Sequence, residues 1–300
     1  MPELPDITVY IECLEQRLLG VPMTAAVFRS PFLLRTYDPP VTAAIGQPVR
    51  RVHRMGKRIV LSFEDDLRMV IHLMRLGRLR WADPGGKKVG GKILLATFTF
   101  GDGTLYFTES GTKKRASVHM VRGDEAVVAF DRGGLEVLTC SRDAFADAVT
   151  RENHTLKRTM TDPRILSGIG NAYSDEILHA ARLSPIKLSK RLSAEEIDRL
   201  FEATVSVLEL WTQRLREEAG DGFPTKVTAF RPEMAAHGRY NKPCPDCGAP
   251  IQRIVYATRE TNYCAKCQTG GKRLADRALS RLLGKDFPRT LEDLEEGRGR

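Results

Sequence analysis

No apolar stretch in the sequence reaches the roughly 18 residues that a membrane-spanning helix needs. The acidic amino terminus, MPELPD, lacks the basic and then apolar order of a secretion signal. No internal repeat is present. These absences predict a soluble intracellular protein with no membrane partner.

Cysteine is scarce, and its placement is informative. Of six cysteines, four lie in the pairs CPDC and CAKC, whereas Cys13 and Cys140 stand alone and are expected only to pack. In a reducing compartment such pairs favour a metal over disulfides, and the chain between them is long enough for a hairpin. Four thiolates leave no open coordination position, so the metal is structural and not catalytic. The sequence predicts one Zn²⁺ per chain, held by Cys244, Cys247, Cys264 and Cys267.

Acidic residues are outnumbered. The 47 lysines and arginines exceed the 38 acids, which gives a formal charge of +9 and favours a polyanionic partner. A length of 300 residues with 42% hydrophobic residues is enough for more than one core. We expect four segments: a strand-rich domain at 1–138, a helical domain at 139–236, a zinc finger at 237–268 and a charged tail at 269–300.

The first domain is expected to begin with a helix. From Ile7 to Leu18 apolar residues recur at helical spacing, Pro5 and Asp6 suit a first turn, and Gly20 is a stop signal. Short apolar or alternating runs follow, among them RIVLSFEDD, KILLATFTF and EAVVAFDRGGLEVLT, separated by glycine and aspartate turns. Such runs are typical of strands in an antiparallel sandwich or barrel.

The second domain carries helical patterns. Ser193 and Glu196 are placed as a capping box for a long helix. In LSGIGNAYSDEIL, Gly168 and Gly170 permit a tight turn before a helix that begins near Asn171. Exposed amides at such a helix start can bind an anion, although a plain turn between helices gives the same pattern.

A third stretch is basic. RRVHRMGKRIVL places Lys57 where an apolar run begins, and several arginines follow before residue 81. A solvated charged edge would explain such a run, and so would a surface that faces nucleic acid.

Taken together these motifs resemble a known family. MPELPD, GKRIVL, IHLMRLGRLR, LSGIGNAYSDE and the two cysteine pairs, in this order over residues 1–268, are similar to the formamidopyrimidine-DNA glycosylase and endonuclease VIII family. The resemblance implies an α+β multidomain fold, with an amino-terminal antiparallel β-sandwich behind a leading helix, a helix-two-turn-helix domain and a carboxy-terminal zinc-finger hairpin. It also implies a monomeric bacterial enzyme of the cytoplasm and nucleoid whose partner is damaged DNA.

The resemblance also implies roles for individual residues. Removal of Met1 would leave Pro2 as the nucleophile, Glu3 matches the catalytic glutamate, and Lys57 matches a lysine that acts in strand cleavage. Glu176 falls on an acidic position of the family. The residues implied to contact DNA in the second domain and the finger are Lys157, Gly170, Asn171 and Arg259.

A terminal proline suits this chemistry. An α-amine titrates near 7.7 to 8.0, far below lysine, so a useful fraction is unprotonated at neutral pH. Attack of a secondary amine on the sugar gives a permanently charged iminium, which promotes elimination of both flanking phosphates. The implied activity is therefore a bifunctional DNA glycosylase and abasic-site lyase without a redox cofactor.

The sequence departs from the family pattern in four places. Arg75, flanked by Met74 and Leu76, takes the position of an apolar wedge, and ESGTKKRAS replaces an arginine-phenylalanine wedge loop. Residues 222–244 are shorter than the segment that covers flipped 8-oxoguanine, and Asp6 replaces a glutamate. These departures predict a lesion range that is not restricted to 8-oxoguanine. The wedge loop then contributes Lys113, Lys114 and Arg115 to DNA binding.

Two other functions fit parts of the sequence. A DNA-structure-binding protein that kept the scaffold without turnover would share the charge and the zinc. A zinc-ribbon RNA or ribosome factor would share them too, but it gives no reason for the PELPD opening. Covalent trapping on abasic-site DNA separates the enzyme from both.

Overall fold

The computed structural model describes residues 1–228, 230–256, 259–274, 281–284, 287 and 289–293. They form two compact units. Unit 1 consists of Met1–Gly133 with Glu209–Thr228, and unit 2 of Gly134–Leu208 with Ala229–Arg300. The four sequence segments remain a prediction beside this division. No helix among the described residues combines the length and apolar composition needed to cross a bilayer.

Unit 1 begins with helix α1, Leu4–Leu18, as the periodicity predicts. It starts three residues before the first apolar position of the pattern, because Pro5 fits the first turn and Asp6 accepts a hydrogen bond from the Glu3 amide. The chain leaves the helix at Gly20, whose φ of 76° favours glycine.

Eight strands follow α1 in unit 1. They are β1 (Met23–Phe28), β2 (Arg51–Met55), β3 (Arg58–Ser62), β4 (Leu67–His72), β5 (Gly77–Ala82), β6 (Leu94–Phe100), β7 (Gly103–Glu109) and β8 (Ser117–Arg122). All pairings are antiparallel, in the orders β1-β6-β7-β5 and β2-β3-β4-β8. A short 3₁₀ helix, Val41–Ala44, lies between β1 and β2.

The core of unit 1 lies between the sheets. Ile59 and Ile71 of one sheet, Phe98 and Phe107 of the other, and Tyr10 of α1 belong to one buried cluster. Because strand side chains alternate, their neighbours Arg58 and His72 occupy the opposite face of the second sheet. The antiparallel sandwich behind a leading helix is thereby confirmed.

One predicted strand is wrong. The run EAVVAF forms helix α2, Asp124–Val128, instead. Gly123 precedes it at φ 83°, and Asp124 and Glu125 occupy the first turn, where the helix dipole favours acids. Val127 is buried against Val60 and Val70, so packing on the outer face of the second sheet outweighs the β-propensity of the valines.

Unit 2 is helical and ends in a hairpin. Its elements are α3 (Arg142–Thr150), α4 (Leu156–Thr161), α5 (Asn171–Ala180), the 3₁₀ turn Ser189–Arg191, the first part of α6 (Ala194–Ala219), β9 (Ile251–Tyr256), β10 (Arg259–Cys264) and α7 (Ala265–Thr269). From Glu209 onward α6 belongs to unit 1. The predicted capping box is confirmed, since the Ser193 amide donates to Glu196 Oε2 at 2.9 Å and the Glu196 amide to Ser193 Oγ at 3.2 Å.

Candidate active site, zinc site and DNA-contacting residues

At its amino terminus the chain of unit 1 is buried from Pro2 onward. Pro2 is buried, Glu3 is 2% exposed and Asp6 is 7% exposed, although the last two are carboxylates. The Glu3 amide donates to Asp6 Oδ2 at 2.9 Å, and the two acids form a capping box at the start of α1. The fold therefore places an acidic pair beside the terminal amine at the positive end of a helix.

Four charged side chains act on that amine. Burial lowers the pKa of the Met1 amino group from its usual 8.0, and Arg78 and Lys57 lower it further. Glu3 and Asp6 oppose this by raising the pKa, with Glu3 the stronger of the two. The structure thus brings Glu3 and Lys57, both expected from the sequence, around the terminus, and it adds Arg78.

Lys57 lies at the tip of the turn between β2 and β3. Gly56 has a φ of 58° there, and the register pairs Met55 with Arg58, so a tight two-residue connection presents Lys57 at the end of the sheet. Arg78 lies at the start of β5, half-buried, and donates to the Gly77 carbonyl at 2.7 Å. In the sequence it is only one arginine of a basic stretch, so its place beside the terminus has no sequence signal.

His72 is a second residue that the sequence analysis missed. It ends β4 opposite Arg58, and burial, with Arg58, Lys57 and His119 nearby, lowers its pKa to about 4. The imidazole is therefore neutral at physiological pH and presents a hydrogen-bond donor without adding charge. The sequence signal that could have pointed to His72 is its place in the motif IHLMRLGRLR.

The two expected wedge segments are neighbours. Arg75 is exposed after Met74, which has a φ of 52°, and Gly77 pairs with Glu109 at the foot of the second segment. A Cβ on Gly111 would lie 2.8 Å from Leu76 Cδ1, so the loops are in close contact. Lys113 and Arg115 are exposed and Lys114 is half-buried.

Buried Glu109 organises the wedge loop. Its carboxylate accepts hydrogen bonds from the Arg115 amide, at 2.9 and 3.1 Å, and from the Ala116 amide at 3.2 Å. Its carbonyl accepts a hydrogen bond from Lys114 Nζ. Because one side chain holds two successive amides, the loop has a fixed shape, and Lys113 and Arg115 face outward.

In unit 2, Lys157 is committed to the start of α5. Its ammonium donates to the Asn171 carbonyl at 2.8 Å, Ser174 Oγ at 2.7 Å and Asp175 Oδ1 at 2.5 Å, which uses all three N–H bonds. Asp175 Oδ2 lies 2.7 Å from His237 Nδ1. The sequence did not indicate that Asp175 would pair with Lys157 and His237, because both partners are distant from it in the chain.

The G-x-G-N turn forms as predicted. Gly170 is the N-cap of α5 and Asn171 its first residue. Asn171 Nδ2 donates to the Glu260 carbonyl of β10 at 2.8 Å, which links the helix start to the hairpin. Arg259, the first residue of β10, is exposed, whereas Arg253 pairs with Glu260 and lies over the Tyr240 ring.

Glu176 is structural in this fold. It is 5% exposed, and its two oxygens accept from the amides of Ala235, Ala236 and His237 at 2.7, 2.8 and 2.8 Å. Three amides pointing at one carboxylate compensate its buried charge. This contact fixes the chain just before the zinc finger.

The four predicted cysteines form one cluster. Cys244 Sγ lies 3.9 Å from Cys267 Sγ, and Cys247 Sγ lies 3.4 Å from Cys264 Sγ. In a tetrahedron with Zn–S bonds of about 2.3 Å the sulfur atoms are about 3.8 Å apart, so these separations fit the ion. The fit confirms a structural zinc site with Cys244, Cys247, Cys264 and Cys267 as its ligands.

A histidine from α5 contacts this cluster. His179 is 3% exposed, and its Nε2 lies 3.2 Å from Cys244 Sγ. An N–H donated to a ligating thiolate disperses its charge and orients it.

We expect His179→Phe to weaken zinc binding about tenfold, because such outer contacts are typically worth 10- to 100-fold in metal affinity. Chelator competition measures the affinity, with His154→Phe as the matched control, since His154 pairs with Glu152 instead. Equal affinity in both variants would assign His179 to packing alone.

Comparisons with known proteins identify the domains of the chain. Family models match residues 1–115 (formamidopyrimidine-DNA glycosylase N-terminal domain), 136–214 (formamidopyrimidine-DNA glycosylase H2TH domain) and 241–270 (zinc finger found in FPG and IleRS). The chain is 30% identical over 289 residues to a formamidopyrimidine-DNA glycosylase of Desulforamulus reducens, covering 89% of this chain and 99% of that one.

Two further matches differ in extent. An uncharacterized formamidopyrimidine-DNA glycosylase-like protein of Mycobacterium tuberculosis is 39% identical over 150 residues, which is 50% of this chain and 93% of that protein. The solved Lactococcus lactis Fpg in complex with abasic-site DNA superposes with a TM-score of 0.78 at 23% identity, covering 89% of this chain and 99% of that chain. At that identity the superposition establishes the fold.

Proposed function

The chain belongs to the formamidopyrimidine-DNA glycosylase family, and from that premise we propose that it is a bifunctional glycosylase and abasic-site lyase acting on damaged DNA as a monomer through Pro2. One observation carries the proposal: desolvation, Arg78 and Lys57 lower the pKa of the terminal amine, which also senses the charge of Glu3. Removal of Met1 moves the terminal amine to Pro2, next to Glu3 and one residue closer to the start of α1.

The reaction follows from these groups. The Pro2 nitrogen lone pair forms a bond to the sugar C1′, and the bond from C1′ to the damaged base breaks, with the electron pair leaving on the base. Glu3 accepts the N–H proton of Pro2 and a proton is delivered to the ring oxygen as the bond from C1′ to that oxygen breaks, which opens the sugar to an iminium that the carboxylate stabilises. The charged iminium acidifies the adjacent C2′ hydrogen, and loss of that proton expels the 3′ phosphate. A second elimination expels the 5′ phosphate and leaves a one-nucleotide gap.

Lys57 and the unit 2 residues would hold the DNA backbone. Lys57, on its turn beside the amine, is suited to the phosphate that leaves. At the start of α5, Asn171 has a second Nδ2 hydrogen for a phosphate beside the one that it donates to Glu260, the turn at Gly170 places this side chain at the helix start, and exposed Arg259 offers a cation. Lys157 would join them by exchanging one of its three internal hydrogen bonds for a phosphate oxygen.

We propose that the base pocket accepts more than 8-oxoguanine. The support is the short segment 222–244 and a wedge loop with no aromatic residue. Oxidised pyrimidines and alkylated or bulky bases are the classes that a wider pocket admits. Stronger cleavage of 8-oxoguanine opposite cytosine than of every other lesion would refute this range.

Covalent trapping tests the proposed function. Protein whose Met1 is shown by mass spectrometry to be absent is incubated with abasic-site and base-damaged duplexes in the presence of borohydride. We expect a reduced adduct at Pro2 and, without borohydride, products that end in phosphate on both sides of the gap. Tight binding with no adduct on any substrate would favour a DNA-structure-binding protein without turnover.

Glu3→Gln should slow base release about 10²-fold, because it removes the carboxylate that transfers protons beside the nucleophile. Single-turnover cleavage of a lesion duplex measures the rate. Asp6→Asn is the matched control, since it alters the same capping box from its other side. Equal losses in both variants would mean that helix capping alone explains the effect.

Arg78→Met should displace the acid limb of the pH profile of trapping to higher pH. Arg78 lowers the pKa of the terminal amine, so without it the amine stays protonated, and inactive, over a wider range of low pH. Trapping rates between about pH 5 and pH 9 locate the limb. Exposed Arg80, two residues further along β5, supplies the control Arg80→Met, which should leave the limb in place.

A further inference from the structure

A groove of about 510 Å³ opens on unit 1, outside the amino-terminal site. One wall comes from the chain after β1, with Arg29 and Phe32, and the other from the chain before β6, with Gly90, Gly91 and Lys92. Lys114 of the wedge loop completes the lining. We call this surface the basic groove.

Backbone hydrogen bonds join the walls of the basic groove. The amides of Arg29 and Ser30 both donate to the Leu95 carbonyl, at 2.7 and 3.1 Å. The Glu109 amide donates to the Ile93 carbonyl at 2.8 Å, and the same Glu109 fixes Lys114. The start of β6 is thus tied to the chain after β1, and the residue before it is tied to Glu109, which fixes the wedge loop.

The groove is positively charged. Arg29, Lys92 and Lys114 line it, and none of the described residues in its lining is acidic. Lys87 and Lys88 are exposed nearby in the same connection. With no carboxylate to neutralise them, these cations favour a polyanion and displace its counterions on binding.

An aromatic ring lies among these cations. Phe32 is 73% exposed, although the ring is large and apolar. An exposed aromatic side chain between lysines and arginines is the arrangement on which unpaired bases stack while the phosphates meet the cations. In an intact duplex the base faces are already covered by their neighbours, so only unpaired nucleotides use the ring.

We propose that the basic groove binds a single-stranded DNA segment beside the damaged site, with a base on Phe32 and phosphates on Arg29, Lys92 and Lys114. This inference rests on the proposed function, since it assigns the substrate class of the enzyme proposed above. The wedge loop supports it independently: its position 110–116 holds cations and no aromatic residue to fill a gap in a duplex. The substrate is then damaged DNA that is already open, as in a bubble or a fork.

The test compares two DNAs that carry a stable reduced abasic-site analogue, one in full duplex and one inside a bubble. We expect the parent protein to bind the bubble more tightly. Phe32→Ala should weaken bubble binding about tenfold, the loss of one stacked base, and change duplex binding by less than about twofold. Lys92→Ala should reduce the slope of log affinity against log salt concentration for the bubble by about 1, which corresponds to the loss of one phosphate contact.

Tyr37→Ala is the matched control, because Tyr37 is 92% exposed and does not line the groove. Equal affinity of Phe32→Ala and the parent for the bubble would overturn the inference, and so would equal losses on both DNAs. Borohydride trapping on duplex abasic DNA reports separately on the proposed function. If the protein is trapped but Phe32→Ala binds the bubble as tightly as the parent, only the groove inference is overturned. If no adduct is trapped, the catalytic proposal is overturned.

Discussion

Pro2→Gly is expected to abolish the borohydride-trapped adduct and to lower strand cleavage by at least about 10³-fold, the scale typical of removing a covalent nucleophile. Glycine keeps a terminal amine but loses the secondary amine whose iminium is permanently charged. Gel analysis of trapped complexes and single-turnover cleavage measure both effects.

Pro5→Ala is the control for that result. Pro5 is buried in the first turn of α1, so the variant alters a proline of the same segment without changing the terminal amine. It should keep the adduct. If Pro2→Gly gives an adduct of undiminished yield and mass spectrometry maps it to a lysine such as Lys57, that lysine and not Pro2 is the nucleophile.

Cys264→Ser is expected to remove the zinc and unfold the hairpin. Structural zinc sites of this kind contribute about 10 to 16 kcal/mol of apparent binding free energy, which the small hairpin cannot replace by packing. Zinc content should fall from one per chain towards zero, and the amides of β9 should exchange rapidly. Affinity for abasic-site DNA should drop at least about tenfold, because Arg259 loses its position on β10.

Cys140→Ser provides the matched substitution. Cys140 is half-buried and lies outside the four-sulfur cluster, so zinc content and hairpin protection should stay unchanged. A Cys264→Ser protein that retains one zinc and a protected hairpin would show that three cysteines with another ligand suffice. His179 and Asp246, which lie near Cys267, are the candidates for that ligand.

Local sequence rules were sufficient for several elements. The capping box of Ser193 and Glu196, the turn at Gly170 and the cysteine pairs depend on residues close together in the chain, and the structure has each of them. Short-range geometry decides these features, so spacing alone predicts them.

Other features depend on contacts between distant residues. Arg78 reaches the terminus only because β5 lies in the same unit as α1, and Asp175 meets His237 across 62 positions. The misread strand at 124–128 has the same origin, since Val127 is buried by β3 and β4. Propensity carries no information on which partner a side chain meets after folding.

The zinc finger is not a detachable module. Asn171 and His179 of α5 contact β10 and Cys244, and Gln268 Nε2 donates to the Leu183 carbonyl at 2.8 Å, just beyond that helix. If the hairpin is transplanted alone onto another scaffold, Gln268 becomes exposed, and the contacts with Asn171 and His179 are lost. Exchange of fingers between relatives should therefore succeed only when the helix that supports them is exchanged as well.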